Sequence, residues 1–190
     1  PGEQRRGSVG MPVVDVHERI VDEDENDLPA NEDGEIRITG PNIMKGYFNL
    51  PEATNEVFDS KGYFKTGDMG RLDDDGFLYI TGRIKEMLII GGENVFPREI
   101  EEVLTNHEDV IAAGVVGRKD TSRGEVAVAF VELQEGAIFD ESKLRAWCRE
   151  HIATFKVPKS ITLLDELPRN PTGKIVRREL ALLLDKESVS

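Results

Sequence analysis

A mostly β N-terminal segment followed by an α+β C-terminal domain is the fold class this sequence predicts. Two observations carry it. Residues 9 to 82 consist of short β-branched or alternating stretches separated by turn residues, with no long amphipathic helix. After Arg83 strand-like and helix-like stretches alternate instead. The change falls at Arg83–Glu86. It predicts one segment over residues 1–83 and a second domain over 84–190, joined near Lys85.

In the first segment Val13-Val14-Asp15-Val16 and Glu35-Ile36-Arg37-Ile38 read as strands. Pro51 to Phe58 suits a short helix. Asp73-Asp74-Asp75-Gly76 is a hairpin turn signal between Met69–Leu72 and Phe77–Ile80. In the second, Met87 to Ile90 is a short apolar strand ended by Gly91-Gly92. Pro97 to Asn106 reads as a helix: Pro suits the first turn, Glu99, Glu101 and Glu102 suit its positive end, and Ile100, Val103 and Leu104 share a face. Ile111–Val116, Val126–Leu133 and Ile161–Leu164 predict a small three-stranded sheet. Asp140 suits the cap of a helix whose inner face is Leu144, Trp147, Cys148 and Ile152. A last short helix is expected from about Val176 to Leu184.

The formal net charge is −13 over 190 residues. Nucleic acid and anionic membrane surfaces would both repel it, so neither is expected as a partner. Much of the acid sits in residues 21 to 35, which contain no Lys or Arg. That run reads as a solvated loop; its spacing does not follow an EF-hand. Cys148 is the single cysteine, so no disulfide closes within the chain, which fits a cytoplasmic setting. Its apolar helical position favours packing over nucleophilic chemistry. No run approaches the ~20 apolar residues of a membrane span, and no metal-ligand cluster is evident among the three histidines and the acids.

Three groups of residues are candidates for chemistry. Asp68 closes Tyr63-Phe64-Lys65-Thr66-Gly67-Asp68. A carboxylate there can accept hydrogen bonds from both hydroxyls of a ribose, and glycine lets the backbone come close. Asp beside Gly equally caps a turn. Arg83 and Lys85 lie in Gly82-Arg83-Ile84-Lys85; the arginine offers a planar fork of donors for ribose or phosphate oxygens. Lys174 ends Pro171-Thr172-Gly173-Lys174, where an ammonium can offset charge gathering on a phosphate. Each cation equally reads as an ordinary exposed side chain.

These motifs occur in a fixed order with Gly34-Glu35-Ile36-Arg37-Ile38-Thr39-Gly40, Gly46-Tyr47 and Gly91-Gly92-Glu93-Asn94-Val95-Phe96-Pro97-Arg98-Glu99-Ile100-Glu101. Order and spacing together resemble the C-terminal part of acyl-CoA synthetases of the adenylate-forming superfamily, from about residue 9 to 182. The resemblance implies that residues 1–83 are a β subdomain of a large adenylation domain and that residues 84–190 form a mobile domain turning at Lys85. It implies Asp68 and Arg83 as nucleotide-binding residues and Lys174 as the lysine of adenylation. It sets the loop of Gly91, Gly92, Glu93 and Asn94 facing the active site in the thioester-forming pose, beside the pantetheine tunnel. Some relatives carry a lysine where this chain has Ile89, so no such role carries over.

The activity implied is an ATP-dependent acid–CoA ligase, fatty acid being the expected acid, with ATP and CoA as substrates and magnesium accompanying ATP. The family's Ser/Thr/Gly-rich phosphate loop is not found in these 190 residues, so the chain alone is expected to be inactive. Two other readings stand beside it: an adenylation domain that loads a carrier-protein thiol, and a free-standing interaction module of the same fold. The Gly-Arg-Ile-Lys junction followed by Gly-Gly-Glu-Asn favours the CoA ligase.

Overall fold

The computed structural model describes residues 5–187. The chain divides into two compact units, Pro1–Lys85 and Glu86–Ser190.

The first unit is a four-stranded antiparallel sheet in the order β1-β2-β3-β4, with β1 at His17–Val21, β2 at Gly34–Thr39, β3 at Phe64–Leu72 and β4 at Leu78–Arg83. A short helix, α1, spans Pro51–Glu56. The β3–β4 hairpin forms where the Asp-Asp-Asp-Gly signal predicts. Asp73 Oδ1 accepts from the amides of Asp75 and Phe77, and Gly76 takes a left-handed φ of 83°. The expected strand at Val13–Val16 does not form. Asp15 turns the chain with φ 62°, the Val16 amide donates to the Val13 carbonyl, and Val13 and Val14 are exposed. The strand begins at His17, where Ile20 and Val21 find a core to enter. That core is small: Ile20, Ile36 and Leu78, with Leu28, Ile38, Leu72 and Ile80 packed on it.

The second unit has a five-stranded sheet where a three-stranded one was expected; the short strand foreseen at Met87–Ile90 joins it, and Glu93–Val95 adds another. β5 (Leu88–Ile90) and β6 (Glu93–Val95) form a hairpin, β7 (Val110–Asp120) and β8 (Gly124–Leu133) form a long antiparallel pair, and β9 (Ser160–Leu163) runs parallel to β8. The order is β6-β5-β8-β7, with β9 also on β8. The β5–β6 hairpin reaches the sheet through one pairing, Ile90 with Gly124, a contact no local pattern announces.

Helices α2 (Pro97–Thr105) and α3 (Glu141–His151) cover one face of this sheet, and α4 (Arg177–Glu187) the other. The cap expected of Asp140 is present, its carboxylate accepting from the Lys143 amide at 3.0 Å. Strand periodicity sorts the core. Ala113, Val115, Ala127, Ala129 and Val131 face α2 and α3, whereas Ala112, Val116, Val128 and Phe130 face α4. Both faces of β8 are covered, which is why its sequence is a continuous apolar run rather than an alternation. A Cβ at Gly114 would lie 2.5 Å from Leu180 Cδ1, so glycine is what lets α4 seat against β7.

Candidate functional site

Asp68 stands on a bulge, not after a tight turn. Glu35 pairs with Met69 and Arg37 with Lys65, so Thr66, Gly67 and Asp68 together oppose Ile36 alone. Three hydrogen bonds shape the bulge. Thr66 Oγ1 donates to the Ile36 carbonyl at 2.7 Å and accepts from the Asp68 amide at 3.0 Å, and the Gly67 amide donates to Glu35 Oε1 at 3.2 Å. Gly67 has φ 69°, a conformation that would strain any residue with a Cβ. The result turns the Asp68 carboxylate toward Arg83, its partner across the β3–β4 ladder, with Nε to Oδ1 at 2.8 Å.

Thr66, Gly67, Asp68, Arg83, Ile84 and Lys85 line one open cleft of about 320 Å³. A carboxylate has roughly four lone-pair sites and a guanidinium five N–H donors, so their ion pair leaves capacity on both for a diol and a phosphate. Lys85 sits in a single 3₁₀ turn, Ile84–Glu86, with its side chain exposed.

The remaining expected residues belong to the second unit. Gly91 and Gly92, with φ of 65° and 90°, form the two-residue loop of the β5–β6 hairpin, the conformation a two-residue connection favours. Glu93 and Asn94 are paired strand residues opposite Ile90 and Ile89, not part of the loop. Lys174 ends a tight hairpin loop. Asn170 Oδ1 accepts from the amides of Thr172 and Lys174 and from the Thr172 hydroxyl, and the Asn170 amide donates to the Lys174 carbonyl. Gly173 takes φ 82°. The Lys174 side chain is exposed.

A fourth feature had not been anticipated. Arg123, Arg145, Arg149 and Lys159 surround a cavity of about 380 Å³ that Thr154 and Phe155 also line. Arg145 is fixed by its Nε donating to the Pro158 carbonyl at 3.1 Å. One acid shares the rim: Asp120, whose carboxyl is held below its ordinary value, first by the Ser122 hydroxyl hydrogen bond and also by the Ser122 and Arg123 amides and the charge of Lys159.

Residues 99–174 match the family described as the AMP-binding enzyme C-terminal domain, and residues 1–48 match the AMP-binding enzyme family. The chain carries AMP-binding enzyme domains. The 2-succinylbenzoate–CoA ligase of Geobacillus kaustophilus is 48% identical over 180 residues, 95% of this chain and 36% of that protein. The sulfoacetate–CoA ligase of Cupriavidus necator is 42% identical over 95% of the chain and 35% of its own length. Among solved structures, ATP-bound MatB from Rhodopseudomonas palustris superposes with a TM-score of 0.88 at 37% identity, covering 94% of this chain and 36% of that one. The chain thus spans about a third of the length of these relatives. The first two are acid–CoA ligases by name; none of the three names a fatty acid, so that part of the sequence expectation finds no support.

The structure brings Asp68, Arg83 and Lys85 to one cleft. It places Lys174 and the Gly91–Asn94 hairpin in the second unit. The cation-lined cavity left one sequence signal: Arg145 and Arg149 are four apart on a predicted helix and share a face. Arg123 and Lys159 come from a turn and a strand end and could not be grouped with them in advance.

Proposed function

We propose that this chain is the C-terminal part of an ATP-dependent acid–CoA ligase, which first forms an acyl-adenylate and then a thioester. The observation that carries CoA as the acceptor is the cavity ringed by Arg123, Arg145, Arg149 and Lys159. CoA presents a pyrophosphate, a 3′-phosphate and an adenine. Four cations clustered in a chain of net charge −13, beside the flat ring of Phe155, match those groups. A carrier protein's phosphopantetheine has one phosphodiester and no adenine, and makes less use of such a cavity.

Asp68 and Arg83 then hold the nucleotide's ribose. The Lys174 ammonium offsets charge at the α-phosphate as the acid attacks. The backbone at Lys85 lets the second unit turn, and the β5–β6 hairpin meets the thiol in the second step. The relatives' named acids, succinylbenzoate and sulfoacetate, each carry a second anionic group, and they favour such an acid over a fatty acid. Among the described residues no grouping of three or more His, Cys, Asp or Glu side chains is arranged to hold a metal ion, so no ligand for the magnesium accompanying ATP is assigned here. The chain contributes the adenylation lysine without a phosphate loop, and by itself it is expected to be inactive.

The test is a comparison of CoA with dephospho-CoA in the full-length enzyme. Arg123→Ala with Arg149→Ala should raise KM for CoA about ten-fold or more, on the scale of one to two charge-assisted contacts. The rise with dephospho-CoA should be smaller and acyl-adenylate formation should be intact. An unchanged KM for CoA would remove the reading.

A further inference from the structure

We infer that Glu132 is a positioning residue for Lys174, acting through Arg169 at the base of the Lys174 hairpin; this rests on the adenylation role proposed above. Glu132 lies on β8 with period-two neighbours Val128 and Phe130 on the α4 side of the sheet, and it is 7% exposed. An acid so placed is costly unless paired. A leucine or valine would fill the same apolar face at no desolvation cost, so the carboxylate is there for what it holds.

Both of its oxygens are used on one segment. Oε1 accepts from the Leu167 amide and Oε2 from the Arg169 guanidinium, each at 2.5 Å. Leu167 is itself buried at 1% exposure in the α4-side core. Arg169 is then bridged across the hairpin to Ile175, and the Val176 amide donates to the Pro168 carbonyl at 2.8 Å. Ile175 packs into the same core. The five residues between the bridged pair, Asn170 to Lys174, are the loop. The Arg169 side chain, 32% exposed, thus runs from a buried charge in the sheet to the foot of the Lys174 turn. Inside that turn the stabilising bonds use the backbone, the Asn170 side chain and the Thr172 hydroxyl, and none of these uses the Lys174 ammonium. The loop holds its own shape; Glu132 and Arg169 fix where that shape stands on the unit.

The predicted signature follows from misplacement rather than loss. In the full-length enzyme, Glu132→Gln keeps an acceptor for the Leu167 amide but loses the charge pair. Arg169→Ala breaks the pair from the exposed side. Each should slow acyl-adenylate formation about 10–100-fold, the cost of moving a catalytic group by roughly 1 Å. KM for ATP and thioester formation from supplied acyl-adenylate should stay nearly unchanged, and Arg169→Lys should restore much of the rate. Combined with Lys174→Ala, either variant should add no further loss, because a displaced lysine that is already gone costs nothing more.

Losses that multiply with Lys174→Ala, or equal damage to both half-reactions, overturn the inference. Lys174→Ala with a normal adenylation rate would instead refute the role of Lys174 itself. If Glu132→Gln fails to fold, Arg169→Ala decides the matter, since its side chain lies partly in solvent.

Discussion

In the first unit Ile20, Ile36 and Leu78 make up the apolar centre, and Arg19, Arg37 and Asp59 are also buried, the two arginines paired on the sheet's other face. In the second unit, two apolar clusters lie on opposite faces of one sheet, and His107 and Glu132 are the buried polar side chains among the described residues. The first unit therefore depends on charge as much as on apolar area. Asp59, with its side chain 1% exposed, accepts from the amides of Lys61 and Tyr63 and stands 3.5 Å from Arg19 Nη1 and 3.4 Å from Arg37 Nη1. Asp27 pairs with Arg19, and Glu25 and Glu35 pair with Arg37. Such a network specifies a geometry well but stabilises weakly relative to apolar packing, because each buried ion has lost its water.

The sharpest way to break the second unit is to remove part of its apolar filling. Phe130 is 1% exposed on the α4 side. Phe130→Ala should cost about 3–5 kcal/mol, measured by urea unfolding of a piece spanning residues 86–187. That piece is expected to fold alone, with a well-dispersed amide spectrum. A collapsed spectrum for the unsubstituted piece would mean that its two clusters do not suffice.

The corresponding break in the first unit is Asp59→Asn. It leaves two buried guanidinium groups short of one anion. The cost should be about 3 kcal/mol, the lower part of the range for breaking a buried pair, because Asp27, Glu25 and Glu35 still serve the arginines. Two transitions in urea should be seen for the 190-residue chain, with only one of them shifted. A shift of both would show that the units unfold as one and that the contrast between them has no thermodynamic meaning.

The sequence made the second unit more legible than the first, for the same physical reason. Apolar packing writes itself as periodicity: Ile100 and Leu104 on one helix, and the run Val126–Val131 on a strand buried on both faces. Charge networks do not. The acids at 21–35 read as a solvated loop, yet Glu25 and Asp27 reach the buried arginines, and the two partners lie on different strands with no local pattern between them. The bulge at Thr66–Asp68 was likewise hidden, because its extra residues are defined only by pairing with β2. Asp68 and Arg83 were found as single residues, but their 2.8 Å contact belongs to the β3–β4 register. Glu132 left a faint trace, an acid ending an apolar strand.

Function offers a third test of the contrast, smaller than the first two. If the charged unit holds the nucleotide, Asp68→Ala in the full-length enzyme should weaken ATP binding by about 1.5–3 kcal/mol, the value of hydrogen bonds to a charged acceptor. Titration calorimetry with ATP reads it. An unchanged dissociation constant would return Asp68 to the part of an acid that steadies a bulge and pairs with Arg83.

The mildest test concerns Cys148, an ionisable member of the apolar cluster under α2 and α3. Cys148 is fully buried in that cluster. Burial pushes its thiol up from 9.0 to about 11, against the weaker opposite pull of Arg149 and Arg145. The folded state therefore favours the protonated thiol. Its contribution to stability is intact below pH 9 and is lost as pH rises toward 11, where the unfolded thiol ionises first. The urea midpoint of the 86–187 piece should fall over that window and level above it, and Cys148→Ala should remove that component of the fall. At pH 8.5 that rise leaves about a hundredth of the ordinary thiolate, so iodoacetamide should alkylate the folded piece roughly a hundred-fold more slowly than the urea-unfolded one. Comparable rates would mean that this face opens to water on the time of the reaction, and that the denser packing credited to the second unit does not seal it.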